Sequence, residues 1–206
     1  MSETNPQPLK VAIIIGSIRG HRVSPKVAEI VKNHIDEQAT ASNIALTLVD
    51  IKAFNLPVLD EDLAPAMIKA GEHKHAHSRA WSAEIAKYDG YIWVVPEYNS
   101  SVSGAAKNAI DYLYNEWTGK GAVVVSYGIF GGLKAGEHLS QSLQIMKLKV
   151  AETRPALAYH GNVGPDLTTG MTTGEVAEAT RNDWEGEKVK GEVVKAFGEL
   201  VGLIKV

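Results

Sequence analysis

The sequence contains no cysteine. Disulfides, thiolate metal sites, iron–sulfur clusters and cysteine nucleophiles are therefore excluded. A concentration of basic charge is also missing, because 21 Lys and Arg stand against 24 Asp and Glu and are scattered along the chain. Binding to nucleic acid depends on a concentrated basic face, so no nucleic acid is expected as a partner.

Long apolar runs are absent as well. No stretch approaches the roughly 20 residues that span a bilayer, and the opening MSETNPQPLK lacks the apolar run of a signal peptide. A cytoplasmic protein without membrane association is expected. The chain has 206 residues, 45% of them hydrophobic, which suits a single domain with a sizeable core after a flexible tail at residues 1–8.

Strand and helix patterns alternate along the chain. LKVAIIIGS, residues 9–17, is a β-branched run without polar alternation, which is typical of a strand buried on both faces of a parallel sheet. The pattern predicts further strands at 43–51, 91–95, 121–128 and 153–159, and helices at 24–38, 78–90 and 132–150. This alternation indicates a doubly wound α/β fold with a mostly parallel sheet.

Three segments have less regular patterns. Residues 54–77 predict an excursion with a short helix, and the Gly- and Thr-rich residues 160–174 predict an exposed loop. The chain ends in an amphipathic pattern whose apolar side runs from Val194 to Ile204. Gly186 and Gly191 argue against one unbroken helix through the first half of this pattern.

Ligands of open α/β sheets bind outside the carboxyl ends of the strands, so the loops after the first, third and fourth predicted strands are candidates. The first, GSIRGHRVS, offers hydroxyls at Ser17 and Ser24 and guanidiniums at Arg19 and Arg22 before a helix start, where Ser24 fits the N-cap. That combination suits a phosphate. It also fits a solvated loop with one capping serine and two surface arginines.

The second loop begins with Pro96, Glu97, Tyr98 and Asn99. An aromatic ring beside exposed backbone groups suits a planar heterocycle, stacked on one face and hydrogen-bonded along its rim. The third loop, SYGIFGG at 126–132, has three glycines in seven residues, which would let a ring lie against the backbone. It also fits an ordinary flexible turn.

A helix is predicted after the second loop, with Ala106, Ile110, Leu113 and Trp117 on one face. Most of this face is expected to pack in the core. Its end, around Tyr114 and Trp117, is expected to leave apolar surface that a partner subunit could bury.

Together, the three loops resemble those of the NADPH-dependent FMN reductase family, flavodoxin-like proteins that include bacterial and fungal quinone reductases. The matching segments are GSIRGHRVS, PEYNSSVSGAAKNAIDYLYNEW and SYGIFGG, within residues 9–150. The PEYN…G…KNAID block is the specific part. The resemblance implies a flavodoxin-like, five-stranded parallel sheet in the order 2-1-3-4-5 with helices on both faces, with FMN as cofactor and NADPH or NADH as co-substrate.

The resemblance also implies roles for individual residues. The FMN phosphate would lie at the first loop, near Ser17, Arg19, Arg22 and Ser24. The isoalloxazine ring would lie beside Pro96, Glu97, Tyr98 and Asn99. The glycine-rich loop would pack near the ring through Ser126, Tyr127, Gly128 and Gly131. A homodimer or homotetramer with the flavin near the interface is expected.

The implied reaction is transfer of hydride from NAD(P)H to the flavin N5 and of two electrons from the flavin to a small-molecule acceptor, such as a quinone, free flavin, azo dye or metal oxyanion. No catalytic side chain is required, so Glu97 and Asp111 are interpreted as structural or solvated. The alternative is a flavodoxin-like electron carrier, or a redox-responsive protein that binds a partner. A net charge of −3 does not favour the carrier, which is typically strongly acidic around its flavin.

Two features depart from the family pattern. Ser103 and Ala106 stand where relatives often have Pro and a bulky residue, and Arg-Gly-His-Arg replaces a Ser/Asn-rich turn in the first loop. The smaller residues would either widen the substrate cavity or alter the packing of the helix.

The run EHKHAHS places His73, His75 and His77 at every second position. An extended chain would put all three on one side, where they could bind Zn²⁺. The run lies between a glycine and a helix start without an evident carboxylate partner. A solvated linker is therefore favoured over a metal site.

Overall fold

A computed structural model describes residues 7–205. The strands are β1 (Leu9–Ile15), β2 (Ile44–Asp50), β3 (Gly90–Tyr98), β4 (Ser101–Val102), β5 (Gly121–Gly128), β6 (Lys149–Val150) and β7 (Ala156–Ala158). The helices are α1 (Ser24–Ala41), α2 (Ala76–Ile85), α3 (Gly104–Asp111), α4 (Leu133–Ile145), α5 (Pro165–Thr173), α6 (Glu178–Glu185) and α7 (Glu187–Ile204). The tail predicted for residues 1–8 lies outside the described residues, except for residues 7 and 8, which are exposed and irregular.

The sheet has the order β2-β1-β3-β5, and β6 and β7 both pair with β5 in parallel. The predicted strand order is therefore confirmed, but the predicted number of five strands is wrong. β4 adds a short antiparallel hairpin to β3, and the last position is shared by two short strands. Pro155 lies between these two, and it has no N–H group with which to continue a ladder.

Helices cover both faces of the sheet, as predicted. Alternate residues of β1 enter two separate core clusters: Val11 and Ile13 pack beneath α1, α6 and α7, while Ala12 and Ile14 pack beneath α2, α3 and α4. All four are fully buried, which explains why the run has no polar alternation. Burying each Val or Ile side chain contributes about 1.5–3 kcal/mol, so the strand ends form a rigid base for the loops.

The structure corrects the predicted start of the first helix. The helix begins at Ser24 itself, and its N-cap, Val23, makes no side-chain hydrogen bond. Ser24 does not act as a cap because its hydroxyl is bonded to the hydroxyl of Tyr127. The first turn of α1 is thus left without a side-chain cap.

The segment predicted as an exposed loop at 160–174 contains α5. Pro165 lies in its first turn, where a missing N–H group has no cost, and Gly174 ends it in the left-handed conformation. Within it, the hydroxyl of Thr172 donates to the carbonyl of Thr168 at 2.8 Å, so the threonines satisfy their hydrogen bonds locally. The high glycine and threonine content of the segment did not predict this helix.

The C-terminal pattern confirms one predicted break and not the other. The backbone of Gly186 is extended and separates α6 from α7. Gly191 lies inside α7, where no other group approaches the position of a side chain. The apolar side from Val194 to Ile204 packs on the core, with Phe197 fully buried.

The helix after the second loop is shorter than predicted, because α3 ends at Asp111. Leu113 and Trp117 follow it and are nevertheless fully buried. The Trp117 indole donates to the carbonyl of Ile110 at 3.2 Å. The expectation of a partner surface at Trp117 is wrong, and Tyr114 is only half-buried.

The excursion after β2 contains single turns of 3-10 helix at Ile51–Phe54 and Pro65–Met67. Polar side chains of the KNAIDYLYNEW motif hold it. Asn108 donates to the carbonyl of Pro57 at 2.6 Å, and Asn115 donates to the carbonyl of Ile68 at 2.6 Å. Much of the polar part of this motif is therefore structural.

The histidine run is packed and is not a solvated linker. His73 is buried with Nδ1 3.9 Å from the Oε1 atom of Glu116, and the rings of His75 and His77 stack. The Nε2 atom of His77 is hydrogen-bonded to the Oδ1 atom of Asp60 at 3.0 Å. Asp60 thus supplies a partner for His77 that the local pattern lacked, whereas neither ring nitrogen of His73 has a hydrogen-bond partner among the described residues. Within residues 7–205, no group of three or more potential ligands could hold a metal ion.

Between residues 7 and 205, no helix combines the length and apolar character needed to cross a bilayer.

Candidate functional site

Strand register brings the three predicted loops to one edge of the sheet. Ile15, the last residue of β1, pairs with both Asp50 and Val94. Pro96 in turn pairs with Tyr127, and the carboxyl end of β7 lies beside that of β5. Side chains that are far apart in the sequence therefore meet there.

Two pairs of hydroxyls link the first loop, residues 16–24, to the other loops. The Ser17 hydroxyl is 2.9 Å from the Tyr98 hydroxyl, and the Ser24 hydroxyl is bonded to the Tyr127 hydroxyl. Both serines are buried. Each of the two predicted serines is thus paired with a tyrosine of another loop.

The start of α1 has the properties of an anion site. It has no side-chain cap and no acidic residue in its first turn, so free backbone N–H groups and the positive end of the helix dipole are not neutralised. Arg19 lies in the same loop, exposed to solvent, with Cζ 5.1 Å from the centre of the Tyr98 ring. A phosphate here would lie near three kinds of hydrogen-bond donor: backbone N–H groups, hydroxyls and a guanidinium.

Arg22 is engaged within the protein. It donates to both carboxylate oxygens of Asp50, at 2.8 and 2.5 Å, and to the carbonyl of Ser17 at 2.5 Å. The hydrogen bonds with Asp50 raise the pKa of Arg22. Burial opposes ionisation of Asp50, but the bonds from Arg22 and the Lys52 N–H group outweigh it and hold the pKa of Asp50 below its usual value. Arg22 therefore supports the shape of the first loop.

Sequence reasoning missed Asp50. A signal for it existed, since an acidic residue at the carboxyl end of β2 must lie beside the first loop when β2 flanks β1.

The PEYN segment forms the end of β3 and a two-residue hairpin turn. Asn99 and Ser100 both have positive φ angles, 50° and 60°, as the type I′ turn requires. The carboxylate of Glu97 accepts hydrogen bonds from the N–H groups of Lys134, at 2.9 Å, and Ala135, at 3.3 Å, at the start of α4. This supports a structural role for Glu97.

The glycine-rich loop folds back onto β5. The Ser126 hydroxyl donates to the carbonyl of Gly131 at 2.8 Å. Gly132 has a φ of 72°, and a Cβ atom there would lie 2.7 Å from the carbonyl oxygen of Tyr127. Only glycine fits this position, so the loop is more tightly specified than a flexible turn.

The loops enclose a cavity of about 430 Å³, within the range of roughly 300–1,000 Å³ that small-molecule sites occupy. Seven of the predicted residues line it: Arg19, Pro96, Glu97, Tyr98, Asn99, Tyr127 and Gly128. The other predicted residues do not line it but belong to the same three loops: Ser17, Arg22, Ser24, Ser126 and Gly131.

Four further lining residues were not predicted: Ile129, Tyr159, Leu167 and Met171. Tyr159 follows β7, whose carboxyl end lies at the same edge, so the topology could have indicated it. Leu167 and Met171 come from α5, which local composition concealed. Burial raises the pKa of Tyr159 to about 12 and the pKa of Tyr127 above its usual range. Both hydroxyls are thus protonated at neutral pH and able to donate.

A larger cavity of about 630 Å³ lies between α3 and residues 51–58. The first loop contributes only Ile18 to it, and none of the predicted site residues lines it. Three tyrosines, Tyr98, Tyr127 and Tyr159, and Arg19 line the smaller cavity, which we therefore take as the candidate site.

Ser103 and Ala106, the two residues that differ from the family pattern near the second loop, affect the packing of α3. The Ser103 hydroxyl donates to the carbonyl of Gly16 at 2.7 Å and accepts from the Ala106 N–H group at 3.3 Å. Ala106 is fully buried, and neither residue lines the candidate site. Asp111, the second carboxylate considered, is paired with Lys107.

Comparison with known proteins agrees with this architecture. The model of the NADPH-dependent FMN reductase family matches residues 9–161. An NAD(P)H-dependent FMN reductase from Nectria sp is 40% identical over 198 residues, 95% of this chain and 97% of that relative. One from Saccharomyces cerevisiae is 40% identical over 147 residues, 69% of this chain and 77% of that relative.

Among solved structures, the flavoenzyme NAD(P)H:(acceptor) oxidoreductase FerB from Paracoccus denitrificans has a TM-score of 0.65 at 22% identity, covering 96% of this chain and 97% of its own. This likeness concerns the fold. A family match over most of the chain, with a relative at 40% identity along nearly its whole length, identifies the sequence. The chain therefore belongs to the NADPH-dependent FMN reductase family and is a flavoprotein oxidoreductase with a flavodoxin-like fold.

Proposed function

We propose that FMN binds in the 430 Å³ cavity, with its phosphate at the first loop and its ring between the PEYN hairpin and the glycine-rich loop. One observation carries this proposal. The first loop combines the uncapped start of α1 with the guanidinium of Arg19. The hydroxyl pairs Ser17–Tyr98 and Ser24–Tyr127 lie beside them. A phosphate placed there would accept hydrogen bonds from the backbone N–H groups of the helix start and from the Arg19 guanidinium.

Each group in the site has a part in this proposal. Ser17, Arg19 and Ser24 bind the phosphate, while Arg22 holds the loop in position through Asp50. The backbone and side chains from Pro96 to Asn99 border one side of the ring. Tyr127 and Gly128 border the other side, supported by the bond between Ser126 and Gly131.

The proposed reaction is oxidation of NADPH or NADH and reduction of a small-molecule acceptor such as a quinone or free flavin. The names of the Nectria and Saccharomyces relatives support it. Bound FMN supplies the capacity to accept a hydride and to return two electrons. The chain's own part is to bind, to orient and to exclude water, without a catalytic acid or base. We further propose a homodimer or homotetramer, working in the cytoplasm, where NAD(P)H is available.

The decisive experiment is anaerobic reduction of the FMN-loaded protein. We expect NADPH or NADH to bleach the flavin absorbance within the time of mixing, and a quinone added afterwards to restore it. A loaded protein that neither nucleotide bleaches would instead be a flavodoxin-like electron carrier.

A substitution tests the phosphate assignment. Replacing Arg19 with Ala is expected to weaken FMN binding by about 10- to 100-fold, the effect of losing a charge-assisted hydrogen bond, with little change for riboflavin. Arg154→Ala, at an exposed arginine outside the cavity, is the matched control. Equal losses for FMN and riboflavin would place the phosphate elsewhere.

A further inference from the structure

The outer wall of the candidate cavity comes from α5. This helix begins at Pro165, beyond residue 161, where the family match ends. Leu167 and Met171 are four residues apart, so they share one face of the helix, and both line the cavity with Tyr98 and Tyr127. None of the residues so far assigned to FMN binding belongs to this element.

The ends of α5 are fastened to the rest of the fold. At the first turn, the carboxylate of Asp166 accepts hydrogen bonds from the Thr180 N–H group at 3.0 Å and the Thr180 hydroxyl at 2.7 Å. At the other end, Lys26 donates to the carbonyl of Gly174 at 2.9 Å and pairs with Glu175 at 2.6 Å. The helix is thus held at a fixed distance from the first loop.

The middle of α5 packs against Tyr159, a residue that lines the cavity. At Gly170, a Cβ atom would lie 2.7 Å from the hydroxyl oxygen of Tyr159 and 3.0 Å from its ring. Tyr159 lines the cavity and is buried, with its ring against Trp184. The glycine allows the helix to approach this ring, and that approach brings Leu167 and Met171 to the cavity.

We propose that α5 is the retaining wall of the cofactor cavity and that Leu167 and Met171 contact bound FMN and slow its release. This inference rests on the proposed function, because it requires FMN in this cavity. The physical reason is burial of apolar surface: while FMN is bound, the two side chains and the face of the ligand shield each other from water. Release of FMN exposes these apolar surfaces to water, which is unfavourable. Removing either side chain therefore lowers the free-energy barrier to release.

The test measures the rate of FMN release by flavin fluorescence after rapid dilution of the loaded protein. Met171→Ala is expected to accelerate release about fivefold or more, as suits loss of an apolar side chain from a ligand contact. Gly170→Ala should accelerate it further by pushing α5 away from Tyr159. Met171→Leu should restore a rate near that of the unsubstituted protein. Thr172→Ala, on an exposed residue of the same helix whose hydroxyl donates to the Thr168 carbonyl, should stay within about twofold.

Failure of the inference is distinguishable from failure of the proposed function. If the unsubstituted protein does not bind FMN, the proposed function is wrong. If it binds FMN and both Met171→Ala and Leu167→Ala release it at the unsubstituted rate, α5 is not a retaining wall and the cofactor assignment stands. Equal acceleration in Thr172→Ala would also overturn the inference. Leu167 packs on the core, so a folding defect there is checked by circular dichroism, and Met171, which is 55% exposed, then carries the test.

Discussion

At the scale of single residues, the site is built from side chains that hold one another. Ser24 and Tyr127 are 103 positions apart, yet their hydroxyls are bonded. Arg22 and Asp50 are 28 positions apart and form a bidentate ion pair. These contacts leave Arg19 as the cation of the first loop that faces solvent. The presence of an arginine in a loop therefore does not reveal whether it binds a ligand or supports the loop.

The Arg22–Asp50 pair predicts a pH-dependent contribution to stability. Asp50→Asn is expected to lower the free energy of unfolding by about 1–2 kcal/mol at pH 7, since a partly exposed pair loses a charged hydrogen-bond partner. The pKa of Asp50 is lowered in the folded state, so this stability is complete above the unfolded value of 3.8 and is lost as pH falls through the folded pKa. Urea unfolding from pH 7 to pH 3 measures the difference.

Asp36→Asn is the matched control, because Asp36 forms an exposed pair with Lys32 one helical turn away. Its effect is expected to stay below about 0.5 kcal/mol. A difference between Asp50→Asn and the unsubstituted protein that persists or grows down to pH 3 would contradict the assignment of an ionised, hydrogen-bonded carboxylate.

At the scale of elements, the same residue type has opposite consequences in different places. Gly132 lies at the junction between the glycine-rich loop and α4, in the left-handed conformation and against the backbone of Tyr127. Gly191 lies inside α7 with open space around its Cα atom. The first glycine is required by the fold, whereas the second only weakens a helix.

This contrast gives a paired prediction for alanine substitutions. Gly132→Ala should destabilise the protein by about 1–3 kcal/mol or more, because it combines a positive φ angle with a steric clash. Gly191→Ala should stabilise it by about 0.5–1 kcal/mol through helix propensity. Thermal and urea unfolding of the two variants measure both values, and a neutral Gly132→Ala would show that the glycine-rich loop can rearrange.

At the scale of the whole molecule, the site depends on every layer of the fold. Its loops leave β1, β3 and β5, and each of these strands contributes side chains to both core clusters on opposite faces of the sheet. α5 closes the cavity from the face that carries α1, through Leu167. Ligand bound at such a position stabilises the native state as a unit.

FMN is therefore expected to raise the free energy of global unfolding. At a free concentration 100 times its dissociation constant, the increase should be about 2.7 kcal/mol, with a smaller increase for riboflavin at the same concentration. Far-UV circular dichroism and tryptophan fluorescence should report the same shift, since Trp184 lies in one core cluster and Trp93 in the other. An increase seen by one probe alone would mean that FMN stabilises only part of the chain.

Much of the architecture was determined by the sequence itself. The apolar run of β1, the break at Gly186 and the three loops at the strand ends are all encoded in local patterns. The PEYN hairpin turn is local too, because Asn99 tolerates the left-handed conformation that it requires. Periodicity and turn chemistry act between residues a few positions apart, which is why most strands and helices were predictable. The strand order and the residues at the cavity were expected from the resemblance of the three loops to a known family.

Tertiary structure decided the rest. The roles of Arg22 and Ser24, the burial of His73 and Trp117 and the place of α5 at the cavity all depend on partners distant in sequence. A side chain's hydrogen bonds, burial and pKa are set by what the fold brings within a few ångströms of it. Local sequence does not contain that neighbourhood, because it exists only after the strands have been placed side by side.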